Sequence, residues 1–478
     1  MAVQWTGLGP ELLVRLDRTV GEPLGAQLQR ELREAIRAGR LAADERLPSS
    51  RVLAAELGVS RGLVVDTYAQ LEAEGYLVTR VGSGTRVAAD VAEEPGPSAH
   101  SASRRRAPRP APPPAPRLDV DFEYGLPDLA SFPMRDWLWA LTEAGRTTSI
   151  AGLGDEVEGG APELRRVLAS YLGRVRGSCA EPADVVVTAG FRQGLNIVLR
   201  ALAGSGITHV ALEDPGPRED PTIVERCGQV AVAVPVDERG LDVDALAATR
   251  ARAVVVTPAH QCPTGVVLAP ERRHALVAWA ERVDGVVIED DYDAEFRYDR
   301  QPVGSLQGLA PDRVVAMGSV SKTLAPALRL GWMLVPPALM GAVLREKQLV
   351  GRGAPGLDQV ALARLIESGR FDKHLRRMRG VYDRRRSALV EALAEHVPGV
   401  ALRGLAAGCH AVVPLPAGAD EAAVVAEARR RGVGVYDLGR YRVEPAPAAD
   451  PALVLGFGDV DERAIRRGIA AIADLLRP

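Results

Sequence analysis

Residues 317–332 read MGSVSKTLAPALRLGW, and the run RVVAM before them makes this stretch an apolar strand that ends in Gly318, Ser319, Ser321 and Lys322, seven residues ahead of Arg329. The chain has 478 residues and 59 basic side chains, yet only Lys322, Lys347 and Lys373 are lysines. A sequence that uses arginine for general positive charge raises a chemical question wherever lysine is kept, because a guanidinium cannot act as a neutral amine nucleophile and lysine can. Four more apolar runs end the same way, in a polar residue or glycine: DVVVTAG (184–190), HVALEDP (209–215), AVVVTPAH (253–260) and GVVIEDD (285–291). Helical patterns such as LNIVLRALA and ERRHALVAWAERV lie between several of them. Strands alternating with helices predict a mainly parallel, doubly wound α/β sheet. Ligands of such sheets bind at the carboxyl ends of the strands, so the polar residues that close these runs are expected to converge on one site.

Upstream, residues 95–116 read PGPSAHSASRRRAPRPAPPPAP, with eight prolines in 22 residues and no apolar periodicity, so this stretch is expected to be a partly extended linker. Before it the pattern is helical. Leu24, Leu28, Leu32 and Ile36 recur at i, i+4 behind Pro23, SSRVLAAELG starts at Ser49-Ser50, and Ser60 caps SRGLVVDTYAQLEAEG. Two short helices joined by Gly58-Val59-Ser60 predict a helix-turn-helix, and YLVTRVGSGTRVA alternates around Gly82-Ser83-Gly84 as a hairpin of wing type. Three parts are therefore expected: a mainly α winged helix-turn-helix at 1–88, a linker at 89–118, and a large α/β domain at 119–478 with a smaller α+β subdomain from about 371 to 478.

Residues 20–87 resemble the GntR family of winged helix-turn-helix regulators in their LPSSR, LGVSR, LEAEGYL and GSGT segments. The resemblance implies binding to double-stranded operator DNA. Ser49 and Arg51 would open the second helix, Ser60 and Arg61 would lead the recognition helix, and Gly82, Ser83 and Gly84 would form the wing tip. Helix N-termini offer free N–H groups to phosphates, and Arg61 could also read a guanine edge. Asp66 stands where many relatives carry arginine and would repel phosphate.

The segment 317–332 resembles the cofactor-lysine motif of fold-type I aminotransferases, and IEDDYDAEFRY (288–298) resembles their pyridine-nitrogen segment in the form found in MocR/GabR-type regulators. That resemblance implies pyridoxal 5'-phosphate (PLP) as cofactor. Lys322 would form a Schiff base with it, Asp290 would pair with the ring nitrogen, and Tyr292 would bond the phenolic oxygen. Ser319, Ser321 and Arg329, with the N–H groups of Gly190 and Phe191, would hold the phosphate. It further implies a homodimer that senses PLP or a small amine.

Four departures lower the expectation of efficient transamination. Pro217 replaces a tyrosine in EDPGPRED, Leu153 replaces a tyrosine in LGDEVEGG, Cys262 replaces an aromatic in HQCPTG, and LVLGFG (453–458) lacks the substrate-gripping arginine. A working aminotransferase and a PLP-free dimerisation scaffold are the two rival readings. His260, beside the site, is read either as a ligand contact or as a partner for local backbone.

A net charge of −3, and eleven arginines against eleven acids in residues 1–88, mean that any DNA contact must come from local placement of arginines. No apolar run approaches the roughly 18 residues of a membrane span, and MAVQWTGLGPELLVRLD lacks the features of a secretory signal. Cys179, Cys227, Cys262 and Cys409 lack metal-ligand spacing, so reduced cytoplasmic thiols and no metal site are expected.

Overall fold

In the computed structural model, the described residues are 16–80, 84–89, 118–154, 158–298, 303–351, 353–404, 407–443 and 450–477. The chain divides into two compact units, Met1–Ala115 and Pro116–Pro478.

The first unit contains α1 (Leu24–Arg37), α2 (Ser50–Leu57) and α3 (Arg61–Ala73), followed by an antiparallel hairpin of Leu77–Arg80 and Gly84–Val87. Local chemistry sets each boundary. The Ser49 side chain accepts from Val52 N–H at the start of α2, and the Ser60 side chain accepts from Leu63 N–H at the start of α3. Gly58, with φ of 62°, closes α2 in the left-handed conformation that glycine adopts without a Cβ clash. The i, i+4 stripe of α1 then has a partner: Leu28 and Leu32 pack with Leu53, Val64, Leu71, Leu77 and Val87 in one buried cluster. Tyr68, buried on α3, donates to Pro48 O at 2.9 Å and ties α3 to the approach of α2. Of the expected wing tip only Gly84 is described; Gly82 and Ser83 lie outside the described residues.

The second unit is built on an eight-stranded sheet in the order Val185–Thr188, Gly331–Leu334, Val314–Ser319, Val286–Asp291, Ala253–Val256, His209–Asp214, Val230–Asp237 and Gly240–Leu241. The five apolar runs of the sequence are all strands of this sheet. Pairing is parallel from Val314–Ser319 through Val230–Asp237, while Gly331–Leu334 runs antiparallel to both of its neighbours. The runs are apolar on successive residues before their polar ends because both faces are covered. Val186, Val255, Ile288 and Val315 pack in one cluster with helix Phe191–Gly204, whereas Val254, Val256, Val287 and Val314 pack in another with Leu276 and Trp279 of helix Pro270–Arg282.

The smaller subdomain has a three-stranded antiparallel sheet, His410–Pro414, Ala452–Gly456 and Tyr436–Asp437, beside helices Arg370–His396 and Glu462–Leu476. It is not made only of residues from about 371 onward: Val120–Asp121, at the start of the unit, pairs in parallel with Val433–Gly434. That return of the chain carries Glu123, Tyr124 and Gly125 to the cleft described next.

Candidate cofactor cleft and DNA-contacting surface

A cleft of about 440 Å³ opens at the carboxyl ends of the sheet strands, and all eight residues expected at a cofactor line it: Lys322, Asp290, Tyr292, Ser319, Ser321, Arg329, Gly190 and Phe191. The topology explains the convergence. Asp290 lies near the end of Val286–Asp291, Ser319 ends the next strand, and Ser321 and Lys322 follow in the turn. Gly190 is the N-cap of helix Phe191–Gly204, so the unpaired N–H groups of its first turn face this end of the sheet. Gly331, on the antiparallel strand between them, allows the close approach: a Cβ there would lie 2.7 Å from Gly190 Cα and 3.0 Å from Gly318 O.

Two charged groups of the cleft, Asp290 and Arg329, have no polar partner among the described residues. Asp290 is 9% exposed and receives no hydrogen bond from the described residues. Burial, with Asp220, Asp291 and Asp293 nearby, pushes its carboxyl well above the usual range, against which the Lys322 ammonium pulls it down. A protonated ring nitrogen would fit this carboxyl as a partner. Arg329 sits in the left-handed region at φ of 50° and makes no ion pair with the described residues. Its guanidinium carbon is 3.9 Å from the position of a Cβ on Gly190, so a cation and a helix N-terminus face one point, as a phosphate requires. Lys322 is half-buried, donates from Nζ to Gly125 O and lies 5.6 Å from the centre of the Tyr124 ring. Of the other lysines, Lys347 is buried and Lys373 is exposed. The donor set thus fits a pyridoxal phosphate: an amine, a buried acid, a phenol and an anion cradle in one cleft.

Tyr124, Tyr441, Arg218, Asp220 and Arg440 also line the cleft and were not anticipated from the sequence. Tyr124 and Arg440 come from segments that carry no motif, and only the fold brings them there. Pro217 and Cys262, two of the expected departures, line it as well, whereas Leu153 closes a 3-10 turn and is 62% exposed.

In the first unit Ser49, Arg51, Ser60 and Arg61 are all exposed around the starts of α2 and α3. Arg61 Nε lies 3.5 Å from Ser50 Oγ, so its guanidinium bridges the two helices. Asp66 is exposed on α3, on the same helix as Arg61.

Residues 24–87 match the family of bacterial regulatory proteins, gntR family, and residues 120–446 match aminotransferase class I and II. The HTH-type pyridoxine biosynthesis transcriptional regulator PdxR of Corynebacterium glutamicum is 35% identical across 94% of this chain and 95% of its own. The probable rhizopine catabolism regulatory protein MocR of Rhizobium meliloti is 34% identical across 96% of this chain and 94% of its own. The chain belongs to the MocR-type transcription regulators. As a MocR-type regulator it joins a GntR DNA-binding unit to a fold-type I aminotransferase unit whose fold binds PLP. Among solved structures, an archaeal alanine:glyoxylate aminotransferase is 26% identical with a TM-score of 0.68 over 75% of this MocR-type chain and 91% of its own. The Pyrococcus horikoshii kynurenine aminotransferase is 27% identical, with the same score over 75% and 90%. Among the described residues no helix is long and apolar enough to cross a membrane, and all four cysteines are free.

Proposed function

We propose that this regulator holds PLP through Lys322 and changes its hold on operator DNA when PLP itself, or a small amine that reacts with it, occupies the cleft. The observation that carries the reading is the convergence of the eight residues around one cavity, with Asp290 and Arg329 left without partners among the described residues. Bound PLP would supply an electrophilic carbon for amines and an electron-withdrawing ring. Asp290 keeps the ring nitrogen protonated, and Ser319, Ser321, Arg329 and the N–H groups at Gly190 and Phe191 hold the phosphate. Arg218 makes no ion pair with the described residues, which leaves a second cation in the cleft for an acidic group on the amine.

On the DNA side, Arg51 and Arg61 meet phosphate at two helix N-termini, and Arg61 is placed to reach a base edge. The wing tip expected at Gly82, Ser83 and Gly84 belongs to the same reading. Domain limits of 1–88, 89–118 and 119–478, a homodimer and a cytoplasmic location belong to the same reading.

The test is the absorbance spectrum of the purified full-length protein after addition of PLP, beside Lys322→Ala. The expected result is a visible Schiff-base band in the wild type that the variant lacks. No band in either protein would leave the large unit a PLP-free scaffold and sink the reading.

A further inference from the structure

A buried hydrogen-bonded cluster lies directly behind Tyr292. His260, Asp293 and His410 are each 2–3% exposed, and their ligand-type atoms lie within 4.8 Å of one another. His260 Nδ1 is 2.8 Å from Asp293 Oδ2 and 3.2 Å from the Tyr292 hydroxyl. An imidazole nitrogen carries at most one hydrogen, and the short contact to a carboxylate oxygen places that hydrogen on Nδ1. The 2.8 Å contact is a hydrogen bond and leaves no space for an ion between the two atoms. His410 is oriented separately. Its Nε2–H donates to Pro263 O at 3.1 Å, and burial beside His260 lowers its pKa well below the usual value, so it stays neutral.

The consequence falls on Tyr292. If Nδ1–H points at Asp293 and is shared with the Tyr292 oxygen, that oxygen is an acceptor on its inner side. Its own proton must then leave on the cleft side, where the Tyr124 hydroxyl is the neighbour it meets. A phenol whose inner side is already occupied is a fixed donor to whatever oxygen enters the cleft. The His260 ring thus bonds side chains, Asp293 and Tyr292, and not local backbone. Its ring stacks near Tyr292, at 6.1 Å between centroids and 28° between planes.

The small subdomain closes this arrangement from the other side. Gly408, with φ of 66°, passes so close that a Cβ would overlap Asp293 Oδ2 and lie 2.6 Å from His260 Cε1. Tyr298 donates to Gly408 O, and His410 opens the strand that follows.

We propose that His260 and Asp293 are positioning residues that hold the Tyr292 hydroxyl as a donor to the phenolic oxygen of bound PLP. This rests on the PLP reading above. The test compares binding of PLP and of 3-deoxypyridoxal phosphate, which lacks the phenolic oxygen, to full-length wild type, His260→Ala, Asp293→Asn, Tyr292→Phe and the His260→Ala/Tyr292→Phe double variant. His260→Ala is expected to weaken PLP binding about tenfold, the effect of one hydrogen bond to a charged oxygen, and to leave the deoxy analogue unchanged. Asp293→Asn, which keeps the side-chain shape, should show the same pattern with a smaller loss. The double variant should bind PLP no worse than Tyr292→Phe, because both changes remove one interaction. Equal losses for both ligands would make the dyad a packing element and overturn the proposal, as would undiminished PLP binding in the His260 variant. Wild-type protein that takes up neither ligand would overturn the PLP reading itself, a different result from either of these.

Discussion

In the first unit the residues assigned to DNA lie within 49–84, whereas the cleft of the second draws on seven separate stretches, from Glu123 to Tyr441. The DNA surface is set by local chemistry: two serine caps, a left-handed glycine and a two-stranded hairpin. Each part is made from residues close together in the chain. The cleft exists only because a sheet with mixed pairing, a helix N-terminus and a returning N-terminal segment meet, so a change in packing far from the cofactor atoms reaches it. On the proposed reading, the surface that meets DNA is built locally, whereas the cleft is assembled from segments far apart in the chain.

The strongest way to break this contrast is through Asp220, a buried acid of the cleft whose Oδ2 has no hydrogen-bond partner among the described residues. Burial, reinforced by Glu219 and Glu213 against Arg192, pushes it up to about 7 from the usual 3.8. The unfolded chain ionises above 3.8 and the folded one resists until about 7, so this group's contribution to stability is complete below 3.8 and drains away up to about 7. In cofactor-free protein, Asp220→Asn is expected to gain stability over wild type as pH rises through that window, by at most about 1.4 kcal/mol per pH unit, and to run parallel to it above. A constant difference in melting temperature across the window would remove Asp220 as the cause.

Next in size, Gly331→Ala should cost about 1–3 kcal/mol, because its Cβ meets the Gly190 and Gly318 backbone rather than a side chain that can turn away. Hydrogen exchange should show the loss around residues 185–191 and 314–334 while α1 to α3 keep their protection. Loosening of both units would contradict their independent construction. Ser60→Ala should cost about 1 kcal/mol, confined to the first unit, through loss of the bond to Leu63 N–H. The smallest effect is expected from Asp66→Asn, which removes a negative charge from the exposed side of α3. It should tighten binding to DNA of any sequence by about twofold to fivefold at low salt, with the gain fading as salt rises. A gain that persists at high salt would point away from charge.

The comparison also explains what was legible in the sequence. The three helices of the first unit could be read because each carries its own start and stop signal. Five strands of the large sheet could be read because burial on both faces makes them continuous apolar runs. Gly331–Leu334 was not read as a strand: it is four residues long, starts on glycine and follows a cofactor-type motif without a break. Val230–Asp237 escaped too, since it runs along the outer part of the sheet with many of its residues half-exposed or exposed. Lys322 stood out as one of three lysines, and Asp290 and Arg329 through the resemblance of their segments to fold-type I aminotransferases. Tyr124 and Arg440 carried no such mark, and the bond from His260 to Asp293, 33 positions apart, required the loops to be in place.

The placement of the three lysines makes the protein a gauge of its own loading. Lys347 is buried and Lys373 exposed, while Lys322 is half-buried in the cleft. An amine-directed label applied to the folded chain therefore has one lysine that always reacts, one that is shielded, and one whose reactivity reports whether the cleft is filled. Cleavage by a lysine-specific protease would turn the same arithmetic into fragment sizes: with Lys322 capped by reduction onto a cofactor, residues 1–347 stay in one piece, and without it they separate after Lys322.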